Sequence, residues 1–144
     1  MEATTEMTDT LERTVKSIQE SDTSLSSAHT PAFVAISLST GPEGGHLDGW
    51  FTYIDNGYGK VHIKSEDLIE HTGLFAGVHA SALAQLPPPG EFAGKPGTVK
   101  ASGGLFGGSV SFYDHNNNLI GQFPVTGPGT PSWSFKAHVT YTKG

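Results

Sequence analysis

The chain contains no cysteine, which excludes a disulfide framework, a thiolate metal site and a cysteine nucleophile. That absence does not fix a compartment; it only removes one reason to need an oxidising one. No stretch approaches the ~18 consecutive apolar residues of a membrane-spanning helix. The opening segment MEATTEMTDTLERTVKSIQE lacks the basic start and apolar run of a secretory signal. A complete chain of this kind is expected in the cytoplasm, whereas a mature exported chain has already lost its leader. Basic residues are few: eight Lys and Arg against fourteen Asp and Glu, a net charge of −6. That balance excludes the cationic footprint of a nucleic-acid partner.

What is present is unevenly placed. The chain's 144 residues suit one domain with a sizeable core. All 19 glycines, all 9 prolines and every aromatic lie after residue 30. Residues 1–30 hold six acids and two bases, a net of −4. They form an acidic arm and linker, and residues 31–144 form the domain. Within the arm, Met7, Leu11, Val15 and Ile18 recur at helical spacing. Threonines weaken that helix, so the arm is expected to be a frayed helix or a disordered tail.

The domain reads as strands and turns. From Trp133 to Tyr141, Trp133, Phe135, Ala137, Val139 and Tyr141 alternate with Ser134, Lys136, His138 and Thr140. That period of two marks a half-buried strand. Val34, Ile36 and Leu38 form one face of AFVAISLS, and KVHIK turns Val61 and Ile63 in and Lys60, His62 and Lys64 out. Leu74, Ala76, Val78 and Ala80 make a strand face of small residues, and Leu119, Gly121, Phe123 and Val125 another. DNGYG carries the Asn-Gly hairpin signal; DHNNN is a polar turn, with Asp55 and Asp114 each placed to bond nearby backbone. SEDLIEHTG predicts a short helical turn, with Ser65 as N-cap and Gly73 as terminator. PPPGEFAGKPG, with four prolines and three glycines, predicts an irregular surface loop. The pairs Gly103-Gly104 and Gly107-Gly108 mark coiling, bulges or close backbone approach. About eight strands with almost no helix leave a sandwich or a small barrel. Aromatics alternating opposite Ala and Gly favour a compact, closed antiparallel barrel.

Chemical motifs are sparse. The seven histidines show no metal-binding spacing, and no metal or cofactor is expected. His62 and His138 fall on predicted outer faces, where solvated histidines are the expectation. No G-x-S-x-G elbow occurs, and GGLFGG is followed by no Lys-Ser or Lys-Thr, so it is not a phosphate loop. No carboxylate pair stands out, and no enzyme activity is expected. Trp50, Tyr53, Tyr58, Phe92 and Tyr113 offer material for a sugar-stacking platform. Trp50 and Trp133 are assigned to core packing and Tyr58 to exposure. The candidate binding residues are therefore Tyr58, His62, Lys136 and His138.

The order of three segments resembles the Vap (virulence-associated) protein family. The first is Gly41-Pro42-Glu43-Gly44 followed by Asp48-Gly49; the second is Ser65-Glu66-Asp67-Leu68 through His71-Thr72. The third runs from Ser111-Phe112-Tyr113-Asp114 through Asn118-Leu119-Ile120-Gly121 to Ser132-Trp133. The resemblance implies an eight-stranded antiparallel barrel of Greek-key type with a variable N-terminal arm. It implies no catalytic residues, and a non-enzymatic effector role at host membranes or compartments through lipid or carbohydrate contact. Export or delivery to a host goes with it. The chain departs from the family in showing no signal, in PPPGEFAGKPG and in a longer last strand. A cytosolic lectin-like or defence protein fits those departures and is the alternative expectation.

Overall fold

A computed structural model describes residues 29–41, 44–73 and 75–144. The amphipathic stripe and linker expected before His29 lie outside them. Eight strands follow in order: β1 Thr30–Gly41, β2 Gly44–Tyr53, β3 Lys60–Thr72, β4 Phe75–Leu86, β5 Pro96–Gly104, β6 Gly107–Tyr113, β7 Leu119–Thr126 and β8 Trp133–Lys143. They close in the order β1-β2-β3-β8-β5-β6-β7-β4, every neighbour antiparallel. This order resolves into two Greek keys, 4-1-2-3 and 8-5-6-7. The keys join firmly along β3 and β8, from Val61↔Lys143 to Thr72↔Ser134. They join thinly at β4 and β7, where only His79 and Thr126 pair. Antiparallel alternation puts the β1–β2, β3–β4, β5–β6 and β7–β8 connections at one end of the barrel. The remaining connections and the entry and exit of the chain lie at the other.

The interior is filled. β8 buries Trp133, Phe135, Ala137, Val139 and Tyr141, as its alternation predicts. The rings of Phe92, Phe112 and Phe123 surround Phe51 edge-on, with centroids 6.1, 5.5 and 6.2 Å away. Phe92 meets Tyr141 at 5.2 Å and 88°. Edge-to-face rings of this kind occupy the space that a ligand-carrying barrel leaves open.

Four expectations are corrected. The predicted helical turn at Ser65–Gly73 is instead the second half of β3, paired with β8. Register shifts at Ser65/Asp67 and Leu68/Glu70 insert extra residues, which breaks the period of two that would have identified a strand. Ser65 caps no helix; its hydroxyl accepts the Leu47 N–H at 2.8 Å. In β7, a further shift opposite Phe112/Tyr113 turns Ile120 inward and Leu119 outward, reversing the expected position of Leu119. PPPGEFAGKPG contains a 3₁₀ turn, Pro89–Glu91, and drives Phe92 fully into the barrel base. The Gly94 N–H binds the Tyr141 carbonyl at 2.6 Å to hold it there. Trp50, assigned to the core, faces outward, because its inward neighbours in β2 are Gly49 and Phe51.

Candidate functional site

The filled interior moves recognition to the outer faces and the turns. The most prominent feature there is the β5–β6 hairpin tip, Leu105-Phe106. Phe106 is 85 % exposed and Leu105 48 %. The flanking glycine pairs explain how the tip is built. Gly103 pairs with Gly108 and Gly104 with Gly107; a Cβ on Gly108 would collide with the Ser102 carbonyl, and one on Gly103 with that of Gly107. Only glycine permits that approach. The tip backbone is then pinned from one side: the Trp133 indole N–H donates to the Gly104 carbonyl at 2.8 Å. The Gly129 N–H donates to Leu105 at 3.0 Å and the Gly127 N–H to Phe106 at 3.4 Å. Three successive carbonyls are thus occupied by β8 and the loop before it, and the two apolar side chains are presented to solvent.

A second apolar area lies on the outer face where β4, β1 and β2 pair. Phe33 faces Leu83 across β1–β4 and Thr52 across β1–β2, and both apolar side chains are exposed. One register step along, Ala35 faces Trp50, and Trp50 faces His62.

The predicted site residues separate into three places. His62 lies against Trp50, ring centroids 4.6 Å apart and 30° between planes, and its Nε2 is 2.6 Å from the Asp48 carboxylate. The Lys60 ammonium lies 4.6 Å from the centroid of the same Trp50 ring, so this indole already has two neighbours. Tyr58 is not the exposed ring expected: it is half-buried in the β2–β3 turn, packed edge-on to Tyr53 at 5.7 Å. Lys136 and His138 do lie on the outer face of β8. His138 faces Asp67, with Nδ1 3.9 Å from its carboxylate. Lys136 faces Glu70 on one side and Lys100 on the other. His62, by contrast, is in register with Thr142, four residues from His138. The structure therefore does not gather Tyr58, His62, Lys136 and His138 into one cluster.

Of the other weighed aromatics, Tyr53 and Phe92 are core. Tyr53 donates to the Pro87 carbonyl at 2.5 Å, and Tyr141 to the Tyr113 carbonyl at 2.9 Å. Burial raises both phenol pKa values well above the usual tyrosine range, reinforced at Tyr53 by Glu91 and Tyr58, and at Tyr141 by Asp114. These phenols are structural donors, not proton-transfer groups. The polar turn behaves as expected, the Asp114 carboxylate accepting the Asn116 and Asn118 N–H groups at 2.9 Å each. Asp55 likewise accepts the Gly57 N–H at 2.9 Å. Among the described residues, no three His, Asp or Glu side chains converge as metal ligands would.

Sequence reasoning missed the Leu105-Phe106 tip and the Lys100–Lys136 neighbourhood. The first had a signal: two large apolar residues held between two glycine pairs, where a turn needs none. The second had none, since residues 36 positions apart become neighbours only through the β5–β8 pairing.

No protein-family model matches the chain, and no curated protein matches it significantly. Among solved structures, it is similar to the virulence-associated protein VapB from the intracellular pathogen Rhodococcus equi. The TM-score is 0.50 at 5 % identity, over 81 % of this chain and 99 % of that one. At this identity the likeness speaks for the fold, a Vap-like β-barrel, as the sequence resemblance implies.

Proposed function

We propose that the protein is a non-enzymatic, virulence-type effector barrel that acts at host membranes by contact of its surface. The observation that carries this reading is the Leu105-Phe106 tip. Two adjacent apolar side chains held out on a pinned hairpin gain nothing in water, and exposed apolar clusters mark interaction sites. Burial of such side chains is worth about 25 cal/mol for each Å² removed from water, so the tip supplies a weak, reversible anchor. A lipid surface accepts such a tip without a shaped pocket. Local charge selects which lipid: the tip segment 103–108, GGLFGG, carries no Lys or Arg to draw an anionic headgroup, so the matching surface is zwitterionic. The Vap-like fold supports the virulence-type assignment, since the similar solved barrel is itself a virulence-associated protein. A packed core of aromatic side chains supports a role that needs no internal ligand.

Co-sedimentation of the full chain with phosphatidylcholine vesicles at pH 7.5 and pH 5 tests the reading. The wild-type protein is expected to pellet with the vesicles, and L105S/F106S to lose at least five-fold in bound fraction with unchanged circular dichroism. Failure of the wild-type chain to bind at either pH would remove the membrane reading.

A further inference from the structure

We propose that the outer face of β8, β5 and β6 carries a binding site for an acidic saccharide, centred on Lys100 and Lys136. This site is separate from the hairpin tip and independent of its lipid role. The two lysines are direct partners in the β5–β8 register. Direct cross-strand partners have Cβ atoms about 4.5–5.5 Å apart, and like charges so placed destabilise a sheet. Glu70 faces Lys136 across β3–β8, yet the ion pairs among the described residues are His62–Asp48 and His138–Asp67, and neither lysine has a carboxylate partner. The Lys100 ammonium rests instead over the Tyr113 ring, 5.1 Å from its centroid. Two like charges in direct register, with no carboxylate ion-paired to either among the described residues, suit a site that takes an anion.

The surroundings define what the anion is attached to. The lysines lie in a shallow groove of about 330 Å³. Its row of facing residues continues from Lys100 to Ser111 and then Gln122. The adjacent row aligns Ser134, Ser102 and Ser109. Two ammonium groups are therefore bordered by four hydroxyls and an amide, a donor and acceptor field that matches a ring bearing hydroxyls beside a carboxylate or sulfate. The row Lys136–Lys100–Ser111–Gln122 crosses four strands, about 14 Å at the usual strand spacing, which suits an elongated, linked ligand; the Glu70 carboxylate at the far side of Lys136 closes that end to an anion. The apolar groove residues Ala101 and Phe135 are buried, so an acyl chain finds no surface to lie on. Tyr113 is already covered by Lys100, so no free ring is offered to a nucleobase.

Binding of the full chain to oligogalacturonate and to dextran sulfate, with neutral dextran as the reference, tests the proposal. The wild-type protein is expected to bind both acidic saccharides, less tightly as salt rises, and to ignore neutral dextran. K100Q/K136Q is expected to lose at least ten-fold in affinity while its melting temperature holds or rises, because the like-charge pair is gone. The charge-matched K60Q/K64Q, on β3, is expected to retain wild-type binding. The proposal is overturned if neither acidic saccharide binds, or if K60Q/K64Q loses as much as K100Q/K136Q. It is likewise overturned if vesicles of anionic lipid bind in place of the saccharides and are lost in K100Q/K136Q.

Discussion

Phe112→Ala is the substitution that most directly tests the filled barrel on which the surface-based function depends. Phe112 is 0 % exposed and holds the inner side of β6. Its ring lies edge-on to Phe51, at 5.5 Å and 83°, and tilted to Phe123, at 6.1 Å and 47°. Truncating a buried phenylalanine costs about 3–5 kcal/mol, the spread reflecting how far the site collapses. Collapse is restricted here, because β6 is hydrogen-bonded to β5 on one side and β7 on the other. Two ring contacts also disappear, each worth about 0.5–1.5 kcal/mol beyond simple burial. The upper part of the range is therefore expected, about 4–5 kcal/mol. With a urea slope of about 1.5 kcal/mol per molar, the unfolding midpoint falls by about 3 M. A domain of ordinary stability, about 5–15 kcal/mol, remains folded or nearly so. Phe112→Leu, which keeps most of the volume, is expected to cost about 1–1.5 kcal/mol and gives a graded second reading. Phe106→Ala, at the exposed tip, is the control and is expected within about 0.5 kcal/mol of wild type. Urea titrations followed by circular dichroism and tryptophan fluorescence supply all three values. A loss below about 1.5 kcal/mol for Phe112→Ala would refute the reasoning: the interior would then tolerate a missing ring, as a ligand cavity does.

Trp133→Phe keeps a ring in the core but gives up part of the buried volume and removes the indole donor that reaches the Gly104 carbonyl at 2.8 Å; the lost donor alone is expected to cost about 1–3 kcal/mol, with faster amide exchange at Leu105 and Phe106 as its local signature. Alkaline pH is expected to unfold the protein. The phenols of Tyr53 and Tyr141 have folded pKa values raised above the ordinary 10.0, so above that pH the unfolded chain releases protons that the folded chain keeps. Their stabilisation is complete below pH 10.0 and falls by about 1.4 kcal/mol per pH unit for each phenol above it. Urea midpoints at pH 9, 10.5 and 11.5 read this, and Tyr53→Phe should flatten the slope.

Much of the barrel was legible because it is written in local pattern. β8 alternates without a break, β1 nearly so, and both have the expected faces inside. Asp55 and Asp114 sit in the turns their chemistry implies. Legibility ended where strands slip. The two register shifts of β3 give SEDLIEHT a burial pattern without a period of two, and its acids and leading serine then imitate a helix start. The single inserted residue Ile120 reversed the faces read for the start of β7. Trp50 was misplaced by size: a tryptophan is usually interior, but here the inward positions of β2 belong to Leu47, Gly49, Phe51 and Tyr53. Of the candidate site, Lys136 and His138 were correctly placed outside, whereas Tyr58 was drawn inward by Tyr53.

By itself, then, the amino-acid order determined most of the segments that are strands of an all-β barrel, which side of most of them is apolar, and that the chain offers little charge for nucleic acid. These are properties of neighbours in sequence, governed by the alternation of side chains along an extended backbone. Only the tertiary structure decided that the keys run 4-1-2-3 and 8-5-6-7, that Trp133 and the β7–β8 loop pin the Leu105-Phe106 tip, and that Lys100 confronts Lys136. Those facts depend on register between strands distant in the chain. A shift of one residue in either partner reverses the face each side chain occupies, and no local pattern records it.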